Sequence, residues 1–358
     1  MPALAAFAVQ LPAQQARPQP AMPSQGEGQQ QGKAAQADLA PLPPVLRYPE
    51  NQDAVLATLD GRDIRLIELG RYLEQRYDPG ILARWALPEG RRELNSPVLG
   101  ELLWQFLDVL ALHQEAELAK LPMSELQAAV DKELKAHFEN VYKKKYEEQR
   151  GRPIDEKAMD FYVARHRRQM GLRTEVQCLL NGLVPRLFKV SELRAFHMKH
   201  GHYFGGKLLT AHIHFATRDR STGRRFSPSK LAEVRNRMRE VQRQLAAQPD
   251  QFEKLAAQFS DDRVTGPKGG ELGWVTRFDE RLPAVLVRTA WELDQGEVSS
   301  PIESFYGYHL VKRLRFVQHH FLLPRKESFH KIAGAIQKVQ QEDFLFESRK
   351  RHPRVVRY

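Results

Sequence analysis

The sequence predicts an α+β protein in which a mainly helical segment precedes a smaller, sheet-containing one. Three observations lead there. From about residue 55 to 204, apolar residues recur at helical spacing, as in Val98, Leu102, Leu103, Phe106, Leu107 and Leu110. From Lys207 the pattern changes to strand-like runs, LLTAHIHFA and later Tyr308 to Leu314. At 358 residues the chain is also longer than one hydrophobic core usually serves.

The elements follow in order. Residues 1–50 hold nine of the 22 prolines, with many Gln, Ala and Gly, so they bury too little apolar surface to offset ordering and are expected to form a disordered tail. Inside it, Leu4 to Val9 is a short apolar stretch with no Lys or Arg before it, either the remnant of an export signal, the mark of a misassigned start, or part of the tail. Val55 to Leu59 reads as a strand, and Asp60-Gly61 as its turn. A helix is expected around Ile67 to Tyr77. Ser96-Pro97 reads as an N-cap and first-turn proline for the next. Ser124 with Gln127 reads as a capping box, and Asp155 and Ser191 as the openings of two further helices. In the second segment Ser227-Pro228 starts a helix whose stripe Leu231, Val234, Met238, Val241 and Leu245 should face a sheet. Asp250 with Glu253 caps Phe252 to Phe259. A last helix is expected over residues 327–350 and a short strand from Arg354 to Tyr358.

Composition removes several function classes. The 55 Lys+Arg against 44 Asp+Glu give a net charge of +11, which suits an anionic partner or simple solubility. No nucleic-acid motif accompanies it, so no nucleic-acid partner is expected. No run approaches the ~18 apolar residues that span a bilayer, so no integral membrane segment is expected. The one cysteine, Cys178, excludes an intramolecular disulfide and a Cys-based zinc site. It fits a reducing cytoplasm or an exported protein equally.

Five short motifs between 208 and 315 then stand in a telling order: Ala211-His212-Ile213, Phe259-Ser260-Asp261-Asp262, Gly269-Gly270-Glu271-Leu272-Gly273-Trp274, Gly296-Glu297-Val298-Ser299 with Pro301, and Gly307-Tyr308-His309-Leu310-Val311. Together they resemble the parvulin-type peptidyl-prolyl isomerases. The resemblance implies a four-stranded antiparallel sheet wrapped by helices over 206–318. It implies His212, Asp262 and His309 as the catalytic set, the two histidines holding the hydrogen-bond network under a shallow cleft and Asp262 lying near the substrate carbonyl. It implies Leu272, Leu282 and Leu286 as the lining of the proline pocket, without metal or organic cofactor. Where the family usually has Met and Phe, this chain has Leu282 and Leu286, so the pocket loses a flat aromatic wall. Gly269 and Gly270 supply turn angles closed to other residues. His214, where an aliphatic residue is usual, shares a strand face with His212; with no further ligands at useful spacing it is expected to be an extra polar or surface histidine.

Arg218, Arg220, Arg224 and Arg225 follow the first strand. By resemblance to the phosphorylation-specific eukaryotic parvulins, Arg224 and Arg225 are candidates to bind an acidic residue before proline, the alternative being a solvated loop. The flanks, Ala54 to Leu69 and RKRHPRVVRY, resemble exported isomerase-chaperones of the SurA, PrsA or PpiD sort. That implies a chaperone-like helical domain over 51–205, onto which residues 319–358 fold back, and a periplasmic or otherwise exported location, cytoplasmic being the alternative. The expected partners are unfolded or newly exported proline-containing polypeptides, and the expected activity is prolyl isomerisation. A catalytically weak holdase is the alternative.

Overall fold

The computed structural model describes residues 42–184 and 187–358. The apolar stretch Leu4 to Val9 and most of the proline-rich tail lie outside the described residues. The tail nevertheless ends earlier than its composition suggests. Leu46 is fully buried in the main core, its backbone N–H donating to Asn95 Oδ1 at 2.8 Å. Leu42 and Tyr48 pack against the same core.

The ordered chain opens with β1 (Val55–Leu59) and β2 (Arg62–Arg65), a hairpin turned at Asp60-Gly61. Helix α1 (Leu66–Arg76), two short helices, α2 (Ile81–Trp85) and α3 (Pro88–Leu94), and the long α4 (Pro97–Leu118) follow. Then come α5 (Leu126–His137), α6 (Lys144–Arg150), α7 (Glu156–Leu183) and α8 (Val190–His200). Of the proposed caps in this segment, Asp155 accepts from Ala158 N–H at 2.8 Å. Ser96 precedes α4 as read, but its hydroxyl donates to Glu93 O at 2.8 Å. Ser191 lies inside α8, which starts one residue earlier, so neither serine caps through its side chain.

The sheet-containing segment runs β3 (Gly206–Ala216), α9 (Pro228–Ala247), α10 (Phe252–Phe259), β4 (Glu271–Val275), α11 (Ala284–Glu292), β5 (Ile302–Ser304) and β6 (Gly307–Gln318). Its four strands are ordered β4-β3-β6-β5, every neighbour antiparallel. The pleat of β3 sorts the residues. Ile213 and Phe215 pack beneath the apolar stripe of α9 and against Phe252 and Leu255 of α10. The alternate residues His212 and His214 face the other side. There Leu208, Val275 and Val311 pack with Leu286, Val287 and Trp291 of α11.

Helix α12 (Phe329–Arg351) and β7 (Arg354–Val356) return to the first segment, where β7 pairs antiparallel with β1. Asp108 of α4, almost fully buried, receives Arg349 at 2.7 Å and Arg354 at 2.8 Å. Burial would raise its pKa, but the two guanidiniums hold it below the usual carboxylate range. A second buried carboxylate, Glu175 of α7, gathers Tyr72 Oη at 2.7 Å, Tyr77 Oη at 2.6 Å and His113 Nε2 at 2.9 Å. The two segments close on each other through Phe305 against Trp104 (6.0 Å) and Arg277 with Glu342 (2.7 Å). Leu42–Tyr358 is consequently one compact unit. Among the described residues no helix is long and apolar enough to cross a membrane.

Candidate functional site

A cleft of about 340 Å³ opens on the histidine face of the four-stranded sheet. His212 and His214 of β3, His309 of β6, Asp262 after α10, Leu272 of β4, and Leu282, Pro283 and Leu286 at the start of α11 all line it. The far wall is Phe305 and Tyr306, with Pro97 from the helical segment.

The polar floor is a continuous hydrogen-bond chain. His212 Nε2 lies 3.1 Å from Asp262 Oδ2, and the Nδ1 atoms of His212 and His309 are 3.2 Å apart. His309 Nε2 is 2.7 Å from Ser304 Oγ. Donors and acceptors then sort themselves. A carboxylate only accepts, so His212 Nε2 carries its proton. His212 Nδ1 therefore accepts from His309 Nδ1–H, and His309 Nε2 accepts from the Ser304 hydroxyl. Both rings are neutral in this arrangement. Burial, and then the neighbouring His214 and His212, push the pKa of His309 down to about 2. Burial likewise depresses His212, with Asp262 pulling the other way. At Asp262, burial favours the neutral acid, yet Thr265 Oγ1–H at 2.6 Å, Val264 N–H at 3.0 Å and His212 hold the carboxyl well below the usual range.

The glycine turn sets the height of this floor. Gly270 O accepts from His212 N–H at 2.8 Å. Gly270 has φ +81°, and a Cβ on it would lie 2.2 Å from His212 O, so the two backbones approach as only glycine allows. Leu272, two residues on, thereby reaches the cleft.

The structure thus brings His212, His309, Asp262, Leu272, Leu282 and Leu286 to one cleft, with Leu286 almost fully buried and Leu272 and Leu282 half-buried. It does not bring Arg224 and Arg225 there. Arg224 donates to Pro43 O and lies over the Tyr358 ring at 5.5 Å, while Arg225 bridges the backbone of Arg218. Arg218 and Arg220 line the cleft in their place. Arg218 is itself occupied, donating to Phe305 O and Gly223 O, both at 3.0 Å. His214, expected as an extra polar or surface histidine, is a partly exposed polar residue lining the cleft, its ring stacked on that of His309 at 4.7 Å and 15°.

Sequence reasoning did not single out Ser304, Thr265, Phe305, Tyr306 or the wall from Pro97. Thr265 had a local signal, since a Thr three residues after an Asp in a turn commonly closes a side-chain loop. Pro97, 115 residues before His212, had none.

With this geometry the comparisons with known proteins agree. Residues 212–315 match the family model described as Rotamase: PPIC-type PPIASE domain. Over these residues the chain is similar to a parvulin-type domain. Chaperone SurA of Bordetella parapertussis is 32% identical over 117 residues, which are 33% of this chain and 20% of that protein. Foldase protein PrsA of Bacillus subtilis is 38% identical over 64 residues, 18% of this chain and 21% of that one. The chain thus spans about a fifth of the length of these curated relatives. The crystal structure of PrsA from Bacillus subtilis is 18% identical, covers 84% of this chain and 91% of that one, and has a TM-score of 0.24. The matched segment begins on His212 itself and runs past His309, so both imidazoles of the floor fall inside it.

Proposed function

We propose that this chain is a peptidyl-prolyl cis-trans isomerase that assists the folding of exported polypeptides. The observation that carries the reading is the chain Ser304–His309–His212–Asp262 lying under an apolar pocket of Leu272, Leu282, Pro283 and Leu286. Rotation about an X–Pro bond faces a barrier of ~20 kcal/mol, most of it lost amide resonance, and no covalent bond breaks. A catalyst need only favour the twisted amide over the planar one. The leucines and Pro283 would hold the ring and displace water that stabilises the planar form. The neutral imidazole pair would keep the floor fixed, so that its dipoles need not reorganise as the carbonyl turns. Asp262, ionised and held by three donors, would repel the carbonyl oxygen from one side of the cleft and so bias the direction of rotation.

Client binding outside the cleft is supported by large apolar side chains left exposed on the helical segment, among them Phe161, Leu187 and Met198. Unfolded chains offer complementary apolar stretches. The names of the relatives, a chaperone and a foldase, favour the same partners.

A protease-coupled assay on an Ala-Pro tetrapeptide tests the isomerase reading, with His212→Ala and Asp262→Ala as controls. Acceleration that falls about 10- to 100-fold in both variants is the expected result. Suppression of aggregation of a denatured client, with no acceleration of the peptide in the unsubstituted protein, would replace the isomerase by a holdase.

A further inference from the structure

His214 stands in the cleft with one ring nitrogen still to be used. It sits directly opposite His309 in the β3–β6 register, and its ring is nearly parallel to both neighbours, 4.7 Å from His309 and 6.1 Å from His212. Its Nε2 lies 3.2 Å from Tyr306 O. A backbone carbonyl only accepts, so Nε2 carries the proton and Nδ1 holds a lone pair. Among the described residues, Nδ1 of His214 has no hydrogen-bond partner, whereas His212 and His309 spend both nitrogens on the floor. Burial keeps the His214 imidazole below its usual pKa, so the lone pair persists at neutral pH. Among the other acceptors lining the cleft, Asp219 lies on the exposed loop and accepts from Ser221 and Thr222 through Oδ1. Asp262 is committed to Thr265, Val264 and His212, and Asp261 pairs with Arg237 and accepts from Ala216 N–H at 2.8 Å. Arg218 and Arg220 can only donate.

The position of His214 along the cleft matters equally. Leu272, Leu282 and Leu286 lie at the β4 and α11 end, and Ala216, Arg218 and Tyr306 at the other. His214 is one β3 pleat beyond His212 towards that second end. A main chain running from a proline ring seated among the leucines towards that second end would pass His214. An extended polypeptide presents main-chain N–H groups there, and each needs an acceptor once water is displaced.

We propose that His214 is a substrate-binding residue, its Nδ1 accepting a hydrogen bond from a client main-chain N–H that flanks the prolyl bond. The inference rests on the isomerase reading above. The bond selects for polypeptide rather than for side-chain identity, which suits a protein that must accept many clients. It also uses a residue type where the parvulin pattern places an aliphatic one.

The test compares amide tetrapeptides with ester analogues in which oxygen replaces the N–H of the residue before or the residue after proline. Full-length protein and the full-length His214→Leu variant are assayed, with each substrate's uncatalysed rate subtracted. In the unsubstituted protein, one of the two esters should lower kcat/KM by about five- to tenfold. In His214→Leu the amide should fall by a similar factor, and that ester should then cost less than about twofold. Equal ester penalties in both proteins, or no penalty in either, would overturn the proposal while leaving the isomerase reading intact. No turnover of the amide by the unsubstituted protein would defeat the isomerase reading itself. A measurement needing no variant gives the same decision. Two-dimensional spectra of 15N-histidine protein report Nδ1 of His214 directly, and its resonance should move on titration with the amide peptide and stay in place with the sensitive ester. Movement with both peptides alike would overturn the proposal.

Discussion

Replacing Gly270 by alanine gives the sharpest prediction, because the same motif contains its own control. A Cβ at Gly270 would stand 2.2 Å from His212 O and 3.1 Å from His212 C, where real Cβ contacts essentially never fall below 3.0 Å. The obstacle is backbone, so β3 and the turn must separate by about 0.8 Å, enough to weaken hydrogen bonds that already stand near 3.1 Å. The φ of +81° adds its own cost of about 1–2 kcal/mol for a residue with a side chain. Overpacking against a fixed backbone contributes about 1–3 kcal/mol more. Gly273 has φ +84° and nothing within 4 Å of its added Cβ, so it carries only the first of these costs. Urea denaturation followed by far-ultraviolet circular dichroism should therefore show Gly270→Ala losing about 3–4 kcal/mol and Gly273→Ala about 1–2 kcal/mol. Because the displaced carbonyl belongs to His212, kcat/KM on the Ala-Pro peptide should fall by about 100-fold in Gly270→Ala, with only a small change in Gly273→Ala. Equal losses in the two variants would show that conformation alone demands the glycines, and the argument from close approach would fail.

Three further outcomes follow from the same geometry. His309 is neutral when folded, with its pKa pushed to about 2, and titrates near its ordinary value of about 6.5 when unfolded. Its contribution is therefore complete above about pH 6.5 and declines as the pH falls, reaching about 2 kcal/mol lost at pH 5; urea curves at pH 7.5 and pH 5 should show that difference, reduced in His309→Gln. Glu175→Leu strips the partner from the hydroxyls of buried Tyr77 and partly buried Tyr72 and from His113 and should cost about 3–5 kcal/mol, while Glu175→Gln, which keeps the volume and an acceptor, should cost less by the same denaturation assay. Substituting Arg220 by alanine should lower the Glu-Pro to Ala-Pro ratio of kcat/KM by about two- to fivefold, whereas Arg224→Ala, whose guanidinium reaches Pro43 and Tyr358, should leave the ratio unchanged.

Much of the sheet-containing segment was legible because its signals are local. The alternation in LLTAHIHFA assigns His212 and Ile213 to opposite faces, and the stripe from Leu231 to Leu245 identifies the helix that covers one of them. The glycine pair marks a turn whatever surrounds it. Where caps were read from single serines the reading was weaker, since the Ser96 hydroxyl bonds Glu93 O a turn away and Ser191 lies inside its helix. A hydroxyl bonds whichever backbone group the fold presents, and residue type does not say which.

The sequence by itself determined the α+β class, the strand carrying His212, and the order of the motifs that meet at the cleft, because these depend on periodicity and on backbone angles within a few residues. Only the tertiary structure decided that Leu46 belongs to the core, that Arg224 turns away to Pro43, that His214 joins the imidazole stack, and that Pro97 supplies a wall. Each of these is set by what stands across a gap from the residue, contributed by chain tens to hundreds of positions away. No local pattern encodes that distance, and packing alone fixes it.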